Sequence, residues 1–255
     1  LGIAARSKSS VSSSLQALPE QDAVLVLEAD PELAADVAPD ERQRAEAASR
    51  APVRALTRGE WEFVDPPDRT ALGALMLEGM VVLRVELRGS SHLEVLGPGD
   101  LINPWLLGTE TPLVEETSVH VVESGRVAVL DASFTARMNP WPEVFAALMR
   151  RAIMRVRRMI VQAAILSRPR AEHRLELMLW RLAEQFGSVT ADGLEVRLPL
   201  THEQLSEMIA ARRSTVTLAI GALVADDRLR HPSRNVWILP HREVGRLTGS
   251  NDRSG

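Results

Sequence analysis

Residues 143–167 contain neither glycine nor proline, and within them Phe145, Met149, Ala152, Val156, Met159, Ala163 and Leu166 recur at alternating spacings of four and three. That is the 3.5-residue repeat of a coiled coil. A helix packed only on its own domain drifts toward a period of 3.6. The pattern therefore predicts a long helix, bounded here as 137–167, that pairs with a second copy through those seven residues. A long helix inside one domain is the alternative. Arginines 150, 151, 155, 157 and 158 crowd the rest of its middle.

The chain changes character on either side of this rod. Residues 22–56 read as helical and acidic, with Asp30 and Asp40 as helix starters and Pro31 in a first turn. From Trp61 the period shortens: apolar runs alternate with turns at Glu78–Gly79, Gly89–Ser90 and Gly97–Asp100, and two further strands flank Ser124–Gly125. Short strands at this spacing predict a small antiparallel roll or barrel. Beyond Pro169 a second helix is expected over about 170–186, with Ala171, Leu175, Met178, Leu182 and Phe186 buried and Gly187 as its stop. Asp192–Gly193 then signals a hairpin.

"THEQLSEMIAARRSTV", residues 201–216, holds two helical patterns with almost nothing between them. No Gly, Asn or Pro marks the break. Thr201 is a strong N-cap, and Gln204 three residues on completes a capping box. Leu205 and Ile209 form the buried face of the first helix, with Met208 alongside, and Val216, Ile220 and Leu223 or Val224 that of the second. Ala210 and Ala211 are small enough to let the two helices cross closely. The second helix would then project Arg213, Ser214 and Thr217 from its N-terminus. Such an end carries positive potential and free N–H groups. "RLRHPSRNVWILP" follows as a strand–turn–strand wing with Arg234 at its tip. This is a winged helix-turn-helix, and its candidate DNA contacts are Thr201, Arg212, Arg213, Ser214, Thr215, Thr217 and Arg234.

Charge agrees with that division. Residues 1–135 hold 11 Lys plus Arg against 22 acids, whereas residues 136–255 hold 19 Arg against 12 acids. Only the second half suits a polyanion. The chain has no cysteine, which excludes disulfides, iron–sulfur clusters and cysteine-ligated zinc. No cofactor is called for. No run reaches the apolar length of a membrane span. A cytoplasmic protein is the expectation, with residues 1–20 as a disordered tail and 243–255 as a second tail.

The order of roll, long helix and winged helix-turn-helix resembles the Crp/Fnr superfamily of bacterial regulators. The likeness is closest in "LPLTHEQLSEMIAARRSTVTLAIGALVADDRL", and "PELAADVAPDERQ", "EVLGPGDLI" and "VLDASF" are similar to the family's N-terminal domain. The Arg-rich, Lys-poor composition is similar to that of actinobacterial members. The resemblance implies an α+β fold. It comprises a cyclic-nucleotide-binding-like sensor domain over 21–136, the dimerisation helix over 137–167 and a DNA-binding domain over 168–242. It implies a homodimer on a palindromic operator in double-stranded DNA, with RNA polymerase as a further partner that it allows. Arg213, Thr215 and Val216 match the family's Arg-x-Thr-Val core. Ser214 stands where many members have Glu, and Leu218 where many have Arg, so the target sequence is expected to differ.

Cyclic-nucleotide binders of that family hold the phosphate with an Arg-Ser/Thr-Ala motif after a Gly-Glu turn. Here no Arg or Lys occurs between Arg88 and Arg126, while Glu110, Glu115 and Glu116 would oppose an anion. Cyclic AMP is therefore not expected to bind in the usual manner, and the pocket is expected to take another effector or none. Two other functions fit parts of the chain. His92, Glu94 and His120 on strands of the roll could hold a divalent metal in a cupin-like enzyme. Alternatively, the helix-turn-helix could serve as a protein-binding module.

Overall fold

The computed structural model describes residues 22–61, 71–102 and 116–240. The two tails, Glu110 and Glu115 lie outside them. Strand β1 (Ala23–Leu25), helix α1 (Val26–Ala29), a 3-10 turn (Pro31–Ala34) and helix α2 (Arg42–Ala48) lead into β2 (Arg50–Leu56). Strands thus bracket the segment expected to be wholly helical. They form because β1 pairs with the start of β2, Ala23 opposite Pro52, while Val53–Leu56 pair with residues 125–128. The two expected helix starters also differ. Asp30 precedes the 3-10 turn without a side-chain capping bond, and the residue before α2 is Glu41, not Asp40.

The roll is built on two long strands, β4 (Gly73–Leu87) and β7 (Glu116–Leu130), with β3 (Gly59–Glu60), β5 (Ser90–Leu96) and β6 (Leu101–Ile102). Every pairing is antiparallel, in the order β1-β2-β7-β4-β5, with β3 on β7 and β6 on β4. Glu78–Gly79 and Ser124–Gly125, both expected as turns, lie inside these strands. They face each other across the ladder, whose register shifts between Met76 and Val81. Gly79 has φ +85°, and a Cβ there would sit 2.7 Å from the Glu123 carbonyl oxygen. Glycine here lets two strands approach and bend together, which is the job of a β-bulge rather than a hairpin. The roll's interior holds Leu56, Met76, Val81, Leu83, Leu96, Ile102, Val119 and Val127.

Helix α3 (Ala132–Met138), capped by Asp131 accepting from the Phe134 N–H, precedes α4 (Pro142–Leu166). The rod expected from 137 thus starts five residues later, at Pro142. Its first turns join Val144, Ala147 and Leu148 to a cluster with Val26, Leu33, Phe134 and Met138. Helix α5 (Ala171–Phe186), β8 (Gly187–Thr190), β9 (Gly193–Arg197), α6 (His202–Met208), α7 (Arg213–Ala225), β10 (Arg230–Ser233) and β11 (Val236–Leu239) complete the chain. The last four strands form a separate sheet ordered β10-β11-β9-β8. Its core does not stop at the expected boundary near residue 168. Leu175, Leu179, Leu205, Val216 and Trp237 share one continuous apolar cluster with Met80, Val82, Leu93, Val95 and Val122 of the roll. Among the described residues no single helix is long and apolar enough to cross a membrane.

Candidate nucleic-acid interface

The capping box forms as expected. The Gln204 N–H donates to Thr201 Oγ1 at 3.1 Å, and the Thr201 N–H donates to Gln204 Oε1 at 2.8 Å. The termination of α6 has a cause that the sequence concealed. Ile209 ends the helix and Ala210 takes φ +48°. The Ala210 N–H then donates to the Glu207 carbonyl at 3.3 Å and the Ala211 N–H to the Ser206 carbonyl at 2.9 Å. These are the two bonds of a Schellman motif, formed without the usual glycine. From behind, Arg174 of α5 donates to the Ile209 carbonyl at 2.8 Å and to the Ala210 carbonyl at 3.3 Å. Ala210 itself is exposed. Its role is therefore the left-handed turn, not the close helix crossing expected of it.

The turn sets α6 and α7 at 95° to each other. Leu205, Met208 and Ile209 pack against Val216, Ala219, Ile220 and Leu223. Val224 is left 45% exposed, so Leu223 completes the buried stripe. Arg212, the residue before α7, makes no capping bond, and the helix's first turn contains no acid. Arg212, Arg213, Ser214 and Thr217 are exposed and lie together around this N-terminus, whereas Thr215 is half-buried. Thr201 is exposed, but its hydroxyl is engaged in the cap. Thr217 Oγ1 lies 3.2 Å from His202 Nδ1 and donates to the Arg213 carbonyl at 3.2 Å. Leu218 is 75% exposed on the same outer face. Arg234 lies at the tip of the hairpin joining β10 to β11, where Ser233 pairs with Val236. Within that hairpin His231 stacks on Trp237, centroids 3.8 Å apart.

Two contacts that the sequence did not signal hold this unit in place. Arg228, beyond α7, donates to Glu172 at 2.8 Å and bidentately to Glu176. Glu207 of α6 accepts from Arg84 and from Ser91 of the roll, both at 2.6 Å. The first helix of the pair is therefore fastened to the roll, and the second is left facing outward.

On α4 the exposed apolar residues are Met149, Ile153, Met154, Val156, Met159, Ile160 and Val161. Met149, Val156 and Met159 of the expected seam lie among them, and Ala163 is exposed too. Ala152 and Leu166 are half-buried, and Phe145 packs on the N-terminal cluster. Ile153 and Ile160 shift the stripe toward the next helical position. The opposite face of α4 carries cations into the roll. Arg151 pairs with Asp30, Arg155 with Glu94 at 2.7 Å and Arg158 with Asp100. The cations missing from the sequence between Arg88 and Arg126 thus arrive from a distant helix, and each already has a carboxylate.

The metal reading fails on register. His92 and Glu94 face α4, where His92 Nε2 lies 3.1 Å from the Gln162 amide and Arg155 holds Glu94. His120 pairs with Val82 and opens on the other side of the sheet, beside Glu60, Arg84 and Glu203. The three do not converge, and among the described residues no group of three such side chains could hold a metal ion.

Residues 173–244 match the Crp-like helix-turn-helix domain. No curated protein matches the chain. Among solved structures, one similar fold is the cyclic nucleotide-binding domain containing protein from Listeria monocytogenes EGD-e. Its TM-score is 0.61 at 15% identity, covering 74% of this chain and 88% of that one. FixK2 from Bradyrhizobium japonicum gives 0.57 at 16% identity, covering 80% and 99%. A transcriptional regulator of the CRP family from Thermus thermophilus gives 0.53 at 20% identity, covering 77% and 97%.

Proposed function

From a Crp-like helix-turn-helix domain carried on the fold of Crp/Fnr-type regulators, we propose that this chain is a transcriptional regulator that binds double-stranded DNA as a homodimer. The observation that carries the reading is the free N-terminus of α7, where Arg212, Arg213, Ser214 and Thr217 stand exposed with no acid in the turn. Helix α6 braces this end, and α7 enters the major groove. Arg213 is the candidate for a bidentate contact to guanine. Arg212, before the first turn, meets phosphate, as does Arg234 of the wing. Leu218, apolar and outward, suits a thymine methyl group. Thr201 contributes as the cap that fixes α6.

The second copy docks along α4. A stripe of Met149, Ile153, Val156 and Ile160, each at least half exposed, is unusual on a monomer's surface and suits a two-fold helical seam. The site is then an imperfect palindrome with half-sites about one helical turn apart, roughly 34 Å. The roll senses an effector other than a cyclic nucleotide, or none, and RNA polymerase is the further partner of such a regulator.

The test is selection of bound duplexes from a random library, followed by titration of the selected site and a scrambled duplex at several salt concentrations. Arg213→Ala should cost about 1–3 kcal/mol per half-site and relax one base preference. Arg212→Ala should weaken both duplexes alike and reduce the salt slope by about one. Unchanged affinity and specificity in Arg213→Ala would place the recognition surface elsewhere.

A further inference from the structure

The layer where α4, α5 and the roll meet holds one more guanidinium than carboxylate. Arg155 is satisfied by Glu94 and Arg158 by Asp100. The third, Arg181 of α5, is only 6% exposed. Its Nε reaches nothing better than Met178 Sδ at 3.4 Å, and its Nη2 has no hydrogen-bond partner among the described residues. A buried cation without an acceptor is costly and calls for an explanation. Burial pulls its pKa down to about 10, against the pull of nearby Glu94, so it stays charged at neutral pH.

Arg181 lines a cavity of about 310 Å³ between α4 and α5, together with Met154, Arg157, Arg158, Val161 and Gln185. That volume is at the lower end for small-molecule sites. Gln185 spends its amide N–H₂ on Asp100 at 2.9 Å, leaving its buried Oε1 without a donor. Arg157 is exposed at the rim and makes no ion pair among the described residues. Glu184 is the one acid on the lining. It is exposed and can turn to solvent.

Arg181 and Gln185, each with a buried polar atom left unpaired, and the free rim cation Arg157 therefore line one space. We propose that this cavity binds a small phosphate monoester that also carries a hydroxyl group. Arg181 and Arg157 take the phosphate oxygens in charge-assisted hydrogen bonds. The ligand's hydroxyl donates to Gln185 Oε1. The cavity is outside the roll's interior and is walled by both the long helix and the first helix of the DNA-binding domain. Ligand binding in this cavity is separate from DNA recognition and is measured without DNA.

The full chain is titrated with ribose 5-phosphate and with inorganic phosphate, at ionic strength matched with sodium chloride, by calorimetry and thermal unfolding. Ribose 5-phosphate should bind saturably and more tightly than phosphate, raising the unfolding midpoint by roughly 5–10 °C at a hundredfold excess over Kd. Arg181→Gln should abolish binding while unfolding no lower than the unliganded parent. Arg157→Ala, an exposed change that leaves folding intact, should weaken binding about tenfold. Absence of saturable binding, a shift equal to that from chloride alone, or affinity unchanged in Arg157→Ala would overturn the proposal.

Discussion

Replacing Ala210 by glycine should stabilise the protein, although no contact is added. Ala210 is held at φ +48° by the two Schellman bonds that end α6. A non-glycine residue pays about 1–2 kcal/mol for that left-handed conformation. Glycine removes this strain but loses more backbone entropy on folding, roughly 0.4–1 kcal/mol. Because Ala210 is exposed, its methyl group contributes little burial to set against the change. The net gain is about 0.5–1 kcal/mol, or roughly 1–4 °C in midpoint for a chain of this size. The end of α7 supplies an internal comparison. Asp227 has φ +53°, with the Asp227 N–H donating to the Val224 carbonyl at 3.2 Å and the Arg228 N–H to the Leu223 carbonyl at 2.9 Å. Aspartate tolerates this region better than alanine, and Asp227 also pairs with Arg230 at 3.4 Å. Asp227→Gly should therefore gain less than Ala210→Gly. Thermal and urea unfolding of the two variants beside the parent measures the order. A destabilised Ala210→Gly, or a larger gain from Asp227→Gly, would refute the account of how the helix-turn-helix makes its turn.

Val156→Glu should yield monomers by sedimentation, because it sets an unpaired charge at the centre of the proposed seam; a persistent dimer would move the interface off α4. Calorimetry with cyclic AMP should show no micromolar binding, since the arginines that α4 brings to the roll are already matched by Asp30, Glu94 and Asp100. Burial holds His92 below its ordinary pKa of 6.5, opposed by Glu94 and reinforced by Arg181. Below pH 6.5 the unfolded chain therefore takes up a proton that the folded chain refuses, and stability should fall as pH drops through this range. His92→Gln should flatten that slope in urea melts at pH 7, 6 and 5, and an unaltered slope would assign it to other groups.

The sequence by itself determined the order of the larger units, from roll through long helix to winged helix-turn-helix, and most of the helix-turn-helix. The capping box, the buried stripe through Val216 and Ile220, the wing and the unbroken run of α4 depend on residues within a few positions of each other. Such patterns are readable because helix and strand repeats are local. Tertiary structure decided what local periodicity cannot encode. Gly79 and Gly125 carry the composition of turns, yet they lie in bulges because two long strands approach there. Residues 23–25 and 50–52 became strands through pairing with each other, and 53–56 through pairing with β7. Ala210 adopts a glycine's conformation because Arg174 and the Schellman bonds hold it there. The partners of Arg151, Arg155, Arg158 and Glu207 lie 58 to 123 residues away in sequence, and Arg181 is left over only when all of them are placed. Charge pairing is a matter of distance in space, and the folded register alone fixes which carboxylate each arginine reaches.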